Sequence, residues 1–200
     1  MADTKQPVTR RTIGQFKSQL AGGGARPNLF EVELTNNAVK GDRSSEWDQE
    51  KFSFLCKAAS LPASNIAAID VPFRGRIFKV AGDRTVDVWT VTVINDEDFK
   101  FRNALEKWME LIVQLASNDG ATSPNAYMSD AVVKQLGRGE APFSETSSAS
   151  STVQSVLKTY KFIDIFPTNI SAIDLSYDSG DTIEEYTVEF AVNNFEIDGQ

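Results

Sequence analysis

The sequence predicts a mainly β protein, an antiparallel β-sandwich or open barrel with one flanking α-helix at about residues 96–116. Three observations carry this. Runs that alternate apolar and polar residues recur along most of the chain, the period of half-buried strands. Behind Asn95-Asp96-Glu97-Asp98 lies the one long stretch whose apolar residues repeat at three and four. Finally, 200 residues with 41% hydrophobic content suffice for a single sizeable core.

From the N-terminus, residues 1–28 read as a flexible basic arm. Ile13, Phe16 and Leu20 have helical spacing that stops at Gly22-Gly23-Gly24, which fits a short amphipathic helix on a hinge or a tail with incidental apolar residues. Residues 29–200 read as one β-sandwich domain with polar loop insertions at 36–50 and 137–152. Its first strand is marked by Phe30, Val32 and Leu34 alternating with Glu31, Glu33 and Thr35. Trp47, in the first insertion, is either a contact anchor or tucked against its own domain. Phe52, Phe54 and Cys56 predict a second strand, less cleanly because of Leu55. Ala67, Ile69 and Val71 predict a third, and Pro72-Phe73-Arg74-Gly75 a hairpin connection. Arg76 to Val80 then predicts a strand with Phe78 and Val80 on one face, Ala81 to Thr85 a tight polar turn, and Val86 to Ile94 a β-rich return.

Asn95 or Asp96 is positioned to cap the helix, whose stripe is Phe101, Leu105, Trp108, Ile112 and Leu115 beside Ala104 and Leu111. Tyr127 to Leu136 fits a strand or a short helix, and Leu157 to Phe166 a strand. Ile173, Leu175 and Tyr177, then Tyr186, Val188, Phe190 and Val192, predict a final hairpin about Ser179-Gly180-Asp181, with an apolar core face and an acidic outer face.

Charge is uneven. Residues 1–26 hold Lys5, Arg10, Arg11, Lys17 and Arg26 against Asp3, a net of +4, whereas 164–200 hold nine acids and no Lys or Arg. The ends suit one another as the arm and receptor of neighbouring subunits, or the acids line a passage for a polyanion; both compete with ordinary solubility charge. A lone cysteine, Cys56, forms no internal disulfide, and no apolar run reaches membrane-spanning length.

Catalysis is argued against. The chain has no histidine, which removes Ser/His and Cys/His pairs, most zinc sites and the usual neutral-pH base. Gly22-Gly23-Gly24 lacks the strand before it and the Lys-Ser/Thr after it that a phosphate loop requires. Asp96-Glu97-Asp98 is explained by a helix N-terminus and Asp83-Arg84 by a turn. No catalytic, cofactor-binding or metal-binding residue is assigned, and no cofactor is expected.

A set of motifs in one order resembles the tail tube proteins of contractile-tailed bacteriophages. They are Ala25-Arg26-Pro27-Asn28-Leu29-Phe30, Cys56-Lys57-Ala58 with Leu61-Pro62-Ala63, Val80 to Thr85, Asp87 to Val93 with Asn95-Asp96-Glu97, and Phe166-Pro167-Thr168-Asn169-Ile170. The resemblance implies a structural, non-enzymatic subunit of the virion, assembled in the host cytoplasm. Six copies would form a ring, and rings would stack into a hollow tube that conducts DNA on sheath contraction. Implied partners are further copies of the chain, the tail sheath, baseplate and tape measure proteins, and DNA held without sequence-specific contacts; no small-molecule substrate is implied. The alternatives are a tube-like ring of a related injection system and, from another class, a monomeric ligand-binding β-barrel.

Overall fold

A computed structural model of the chain describes residues 12–20, 24–34, 39, 47–138 and 156–198. In order, these form α1 (Ile13–Gln19), β1 (Phe30–Leu34), α2 (Gln49–Leu55), β2 (Cys56–Ala59), β3 (Ser64–Phe73), β4 (Arg76–Val86) and β5 (Trp89–Ile94). Then come α3 (Lys100–Ile112), α4 (Pro124–Tyr127), β6 (Ser129–Leu136), β7 (Val156–Ile170) and β8 (Glu185–Asp198). Six strands make one antiparallel sheet in the order β1-β6-β7-β8-β5-β2, nearly closed like a barrel, while β3 and β4 make a separate ribbon. The mainly β expectation with one long flanking helix holds, in its open-barrel form.

The core follows from alternation. Val32 and Leu34 of β1, Ala131 and Val133 of β6, and Trp89, Val91 and Val93 of β5 are all buried. They share one face of the sheet with Phe162 of β7 and Tyr186, Val188 and Phe190 of β8. Helix α3 covers that face with Phe101, Ala104, Leu105 and Trp108. Aromatic rings fill the contact: Trp89 stacks on Phe162 at 4.5 Å, and Trp108 meets Phe190 at 6.1 Å. Each tryptophan keeps a partner for its indole N–H, since a buried donor left unpaired is costly. Trp47 donates to Leu34 O at 2.9 Å, Trp89 to Ser60 O at 3.0 Å, and Trp108 to Tyr127 O at 2.7 Å.

Several local expectations are corrected. The helix begins at Lys100, not at Asp96, because Asp96 is engaged elsewhere: its carboxylate accepts from Lys51 Nζ, and its carbonyl closes a turn with Phe99 N–H at 2.9 Å. It ends at Ile112, where Gln114 and Ala121 N–H bond to Asp119 and Leu111 carbonyls, so Leu115 lies beyond the helix and is 96% exposed. The Phe52-Phe54-Cys56 strand is α2 over most of its length, capped by Asp48 accepting from Lys51 N–H at 3.1 Å, and only Cys56–Ala59 is extended. Helix α2 buries Phe52 against Trp47 and Phe101 and leaves Phe54 outside.

The predicted turn at Ala81–Thr85 is strand: β4 runs through it, and the chain breaks at Asp87-Val88 instead. Gly82 marks close approach there, not a turn. A Cβ on it would lie 2.9 Å from the Ala67 carbonyl, opposite the register shift between Ile66 and Ala68. The final hairpin also fails, because β8 is already paired by β7 on one edge and β5 on the other. No edge is left for Ile173, Leu175 and Tyr177, and the last two stand exposed. Tyr127 to Leu136 divides between the one-turn α4 and the strand β6. Most of the 36–50 and 137–152 insertions, with Lys5, Arg10 and Arg11 of the arm, lies outside the described residues.

Candidate assembly surface

The feature that the core does not explain is the β3–β4 ribbon. Its tip is Arg74-Gly75 with φ of 45° and 83°, both positive as a two-residue type I′ hairpin turn requires. Every residue of β3 is exposed, and so is every residue of β4 except Gly82 and Val86. At its root Asn65 donates to Asp87 at 2.9 Å, and the Arg84 guanidinium lies 5.1 Å from the Phe195 ring.

Directly opposed residues of an antiparallel pair share a face. The register sets Ile69 against Val80, Val71 against Phe78, and Phe73 against Arg76, so five large apolar side chains line one side. The other side carries Asp70 with Lys79, bonded at 2.7 Å, then Pro72 with Ile77 and Ala68 with Ala81. A two-stranded ribbon alone is at best marginally stable in water, and a monomer rarely leaves such a patch open. Phe78 and Val80 do share a face, as the sequence suggests, but that face looks outward.

The sheet has a second unsatisfied feature. β1 and β2 are its edges, five and four residues long, and each has one side without a strand partner among the described residues. Open edges present backbone donors and acceptors to another chain.

The face of the sheet turned from the core carries Glu31, Glu33, Glu185 and Glu189, as the acidic outer face anticipates. Lysines of neighbouring strands answer three of them: Lys134 pairs with Glu33 and with Glu31 at 3.8 Å, and Lys57 with Glu185 at 2.5 Å. Strand-by-strand reading misses this, because the counter-charges come from distant sequence. Trp47 is 4% exposed, so it is core and not a contact anchor. Helix α1 is capped by Thr12 and Gln15 bonding reciprocally, and residues 12–20 are all exposed.

Titratable groups sit where packing requires them. Burial pushes the Cys56 thiol up to about 12 and raises the Tyr186 phenol as well. The hydrogen bond between Lys51 and Asp96 raises the amine and lowers the carboxyl. Among the described residues no group of three or more His, Cys, Asp or Glu is placed to hold a metal, and no helix is long and apolar enough to cross a membrane.

The family model described as phage tail tube protein matches residues 25–198. The chain is 32% identical over 176 residues to the tail tube protein gp19 of Enterobacteria phage T4, covering 88% of this chain and 93% of that one. Among solved structures, the cap of the anti-feeding prophage, its tube-terminating cap, aligns with TM-score 0.56 at 16% identity over 100% of both chains. A chain of the anti-feeding prophage baseplate aligns with TM-score 0.58 at 8% identity over 88% of this chain and 96% of that one. At these identities the two structures speak to the fold alone.

Proposed function

The chain belongs to the phage tail tube protein family, and from that premise we propose that it builds the tube as closed rings of six copies stacked head to tail. As a tail tube subunit it is a structural component of the virion. The observation that carries the stacking is the β3–β4 ribbon, whose apolar side finds no cover among the described residues of its own subunit. Joining β1 of one copy to β2 of the next would pair both open edges and close a continuous inner barrel. Head-to-tail contacts of this kind give rings when the rotation closes and filaments when it does not.

The sheet face bearing Glu31, Glu33, Glu185 and Glu189 would line the passage. Lys134 and Lys57 on that face are already engaged by carboxylates, which leaves Lys161, opposite Val132 and Glu196, as a lysine of that face without an ion pair among the described residues. Phosphates gain affinity where free Lys or Arg release counterions, so a wall richer in carboxylates than in unengaged lysines would hold DNA weakly and let it slide. Sheath, baseplate and tape measure proteins complete the partners, the basic N-terminal arm connects copies, and the role requires no catalysis.

Sedimentation and negative-stain microscopy over a concentration series test this. Sixfold rings or tubes are expected, and a monomer at every concentration and salt would sink the reading. Removing residues 1–24 should leave the melting temperature unchanged and weaken polymerisation; unchanged polymerisation would refute the role given to the arm.

A further inference from the structure

Outside the ribbon, two further apolar features are open among the described residues. The first is helix α1, which lies ahead of the family-matched span beginning at residue 25. Ile13, Phe16 and Leu20 make one stripe at helical spacing and are 76%, 65% and 46% exposed. Seven residues are too few for a stable isolated helix, for which about 12–15 is the marginal length, so a helix this short persists by packing against something.

The second is an open groove of about 520 Å³ between the C-terminal half of α3 and β7. Ile112, Val113, Leu115 and Phe166 give it an apolar lining, and Glu106 and Glu110 stand at its rim. Those carboxylates take Arg102 at 2.9 Å and Lys107 at 2.5 Å from their own helix. A carboxylate accepts several donors, so each has room for more.

We propose that α1 of one subunit docks in the α3–β7 groove of a neighbouring copy. The stripe of Ile13, Phe16 and Leu20 covers the apolar lining. Lys17, on the helix itself, meets the rim glutamates. Charge therefore matches in sign as apolar surface matches apolar surface. The occupant is another copy because of where the arm is rooted. Gln135 Nε2 donates to the Arg26 and Leu29 carbonyls at 2.7 Å, which fixes the base of the arm at the β1–β6 edge of the sheet. β1 is the open edge at which the next subunit would sit, while the groove lies beside β7, farther inside the sheet. In the isolated subunit residues 12–20 are all exposed, so α1 does not cover its own groove.

The docking rests on the tube reading, and disulfide trapping separates the two. Chains carrying Gln19→Cys are mixed with chains carrying Val113→Cys, co-assembled, oxidised and run on a non-reducing gel, with the same samples imaged. Native Cys56 is buried and stays silent. A linked dimer that requires both substitutions is expected. Adding Phe16→Asp to the first chain should lower its yield about tenfold. Tubes without the linked dimer overturn the docking alone, as does an equal yield when Leu175→Cys, an exposed position outside the groove's lining, replaces Val113→Cys. A chain carrying both cysteines that yields an intrachain-linked monomer also overturns it, by placing α1 in its own groove. If the unsubstituted chain forms no tubes, the tube reading falls and the docking with it.

Discussion

Phe78→Ala separates assembly from folding most cleanly. Phe78 sits opposite Val71 on the apolar side of the ribbon and is 65% exposed in the subunit. Fully burying a phenylalanine contributes about 1.5–3 kcal/mol, so roughly two thirds of that, about 1–2 kcal/mol, is unrealised until a partner covers it. Removing the ring should therefore raise the critical concentration for polymerisation about 5- to 30-fold, since each 1.4 kcal/mol is tenfold. The subunit itself should change by no more than about 0.5 kcal/mol, as exposed substitutions do. Sedimentation of polymer against total protein gives the first number, and urea denaturation of the dilute subunit the second. An unchanged critical concentration refutes the reasoning, and so does a loss of subunit stability as large as the loss of assembly.

The remaining predictions concern the ribbon and the two perturbed sites. Gly82→Val places side-chain atoms against the Ala67 carbonyl, where even a Cβ would lie at 2.9 Å. It should impair polymerisation and spare the core, and a large drop in the subunit's melting temperature would contradict that. For Asp96, the hydrogen bond from Lys51 lowers the folded pKa, so its stabilisation is present above the unfolded carboxylate value near about 4 and is lost as pH falls through the folded one. Asp96→Asn should therefore lower the melting temperature at neutral pH, with the difference closing on acidification; a difference constant from neutral to acid pH would be inconsistent with the pair. Cys56, with its thiol pushed up to about 12, should resist a thiol-specific reagent until denaturant unfolds the protein, and prompt labelling of the native subunit would count against its burial.

Alternation made most of the sheet legible in the sequence. Phe30-Val32-Leu34 and Tyr186-Val188-Phe190 face the core as their spacing says, and the stripe Phe101, Ala104, Leu105, Trp108 packs as one surface. Where local signals had two physical meanings, the reading failed. Gly82-Asp83 has turn chemistry, yet the glycine serves close approach within a strand. Phe52-Phe54-Cys56 alternates, yet Asp48 caps a helix there and only Phe52 reaches the core. Ile173-Leu175-Tyr177 alternates as cleanly as β8, and what excludes it is pairing: both edges of β8 are taken. The candidate surface was hidden for a related reason. An apolar strand face signals burial without saying in which molecule, so Phe78 and Val80 read as core. Pro72, which suits an unpaired strand edge, and the Arg74-Gly75 turn were the available hints of an exposed ribbon.

The central claim is that Ser64–Val86 is an interface whose cover comes from other copies. Hydrogen exchange of these amides, compared between dilute subunit and assembled protein, tests it most directly. Rapid exchange in the subunit and strong protection after assembly are predicted, larger than the change in α3. Protection that is unchanged across Ser64–Val86 in intact tubes would contradict the account.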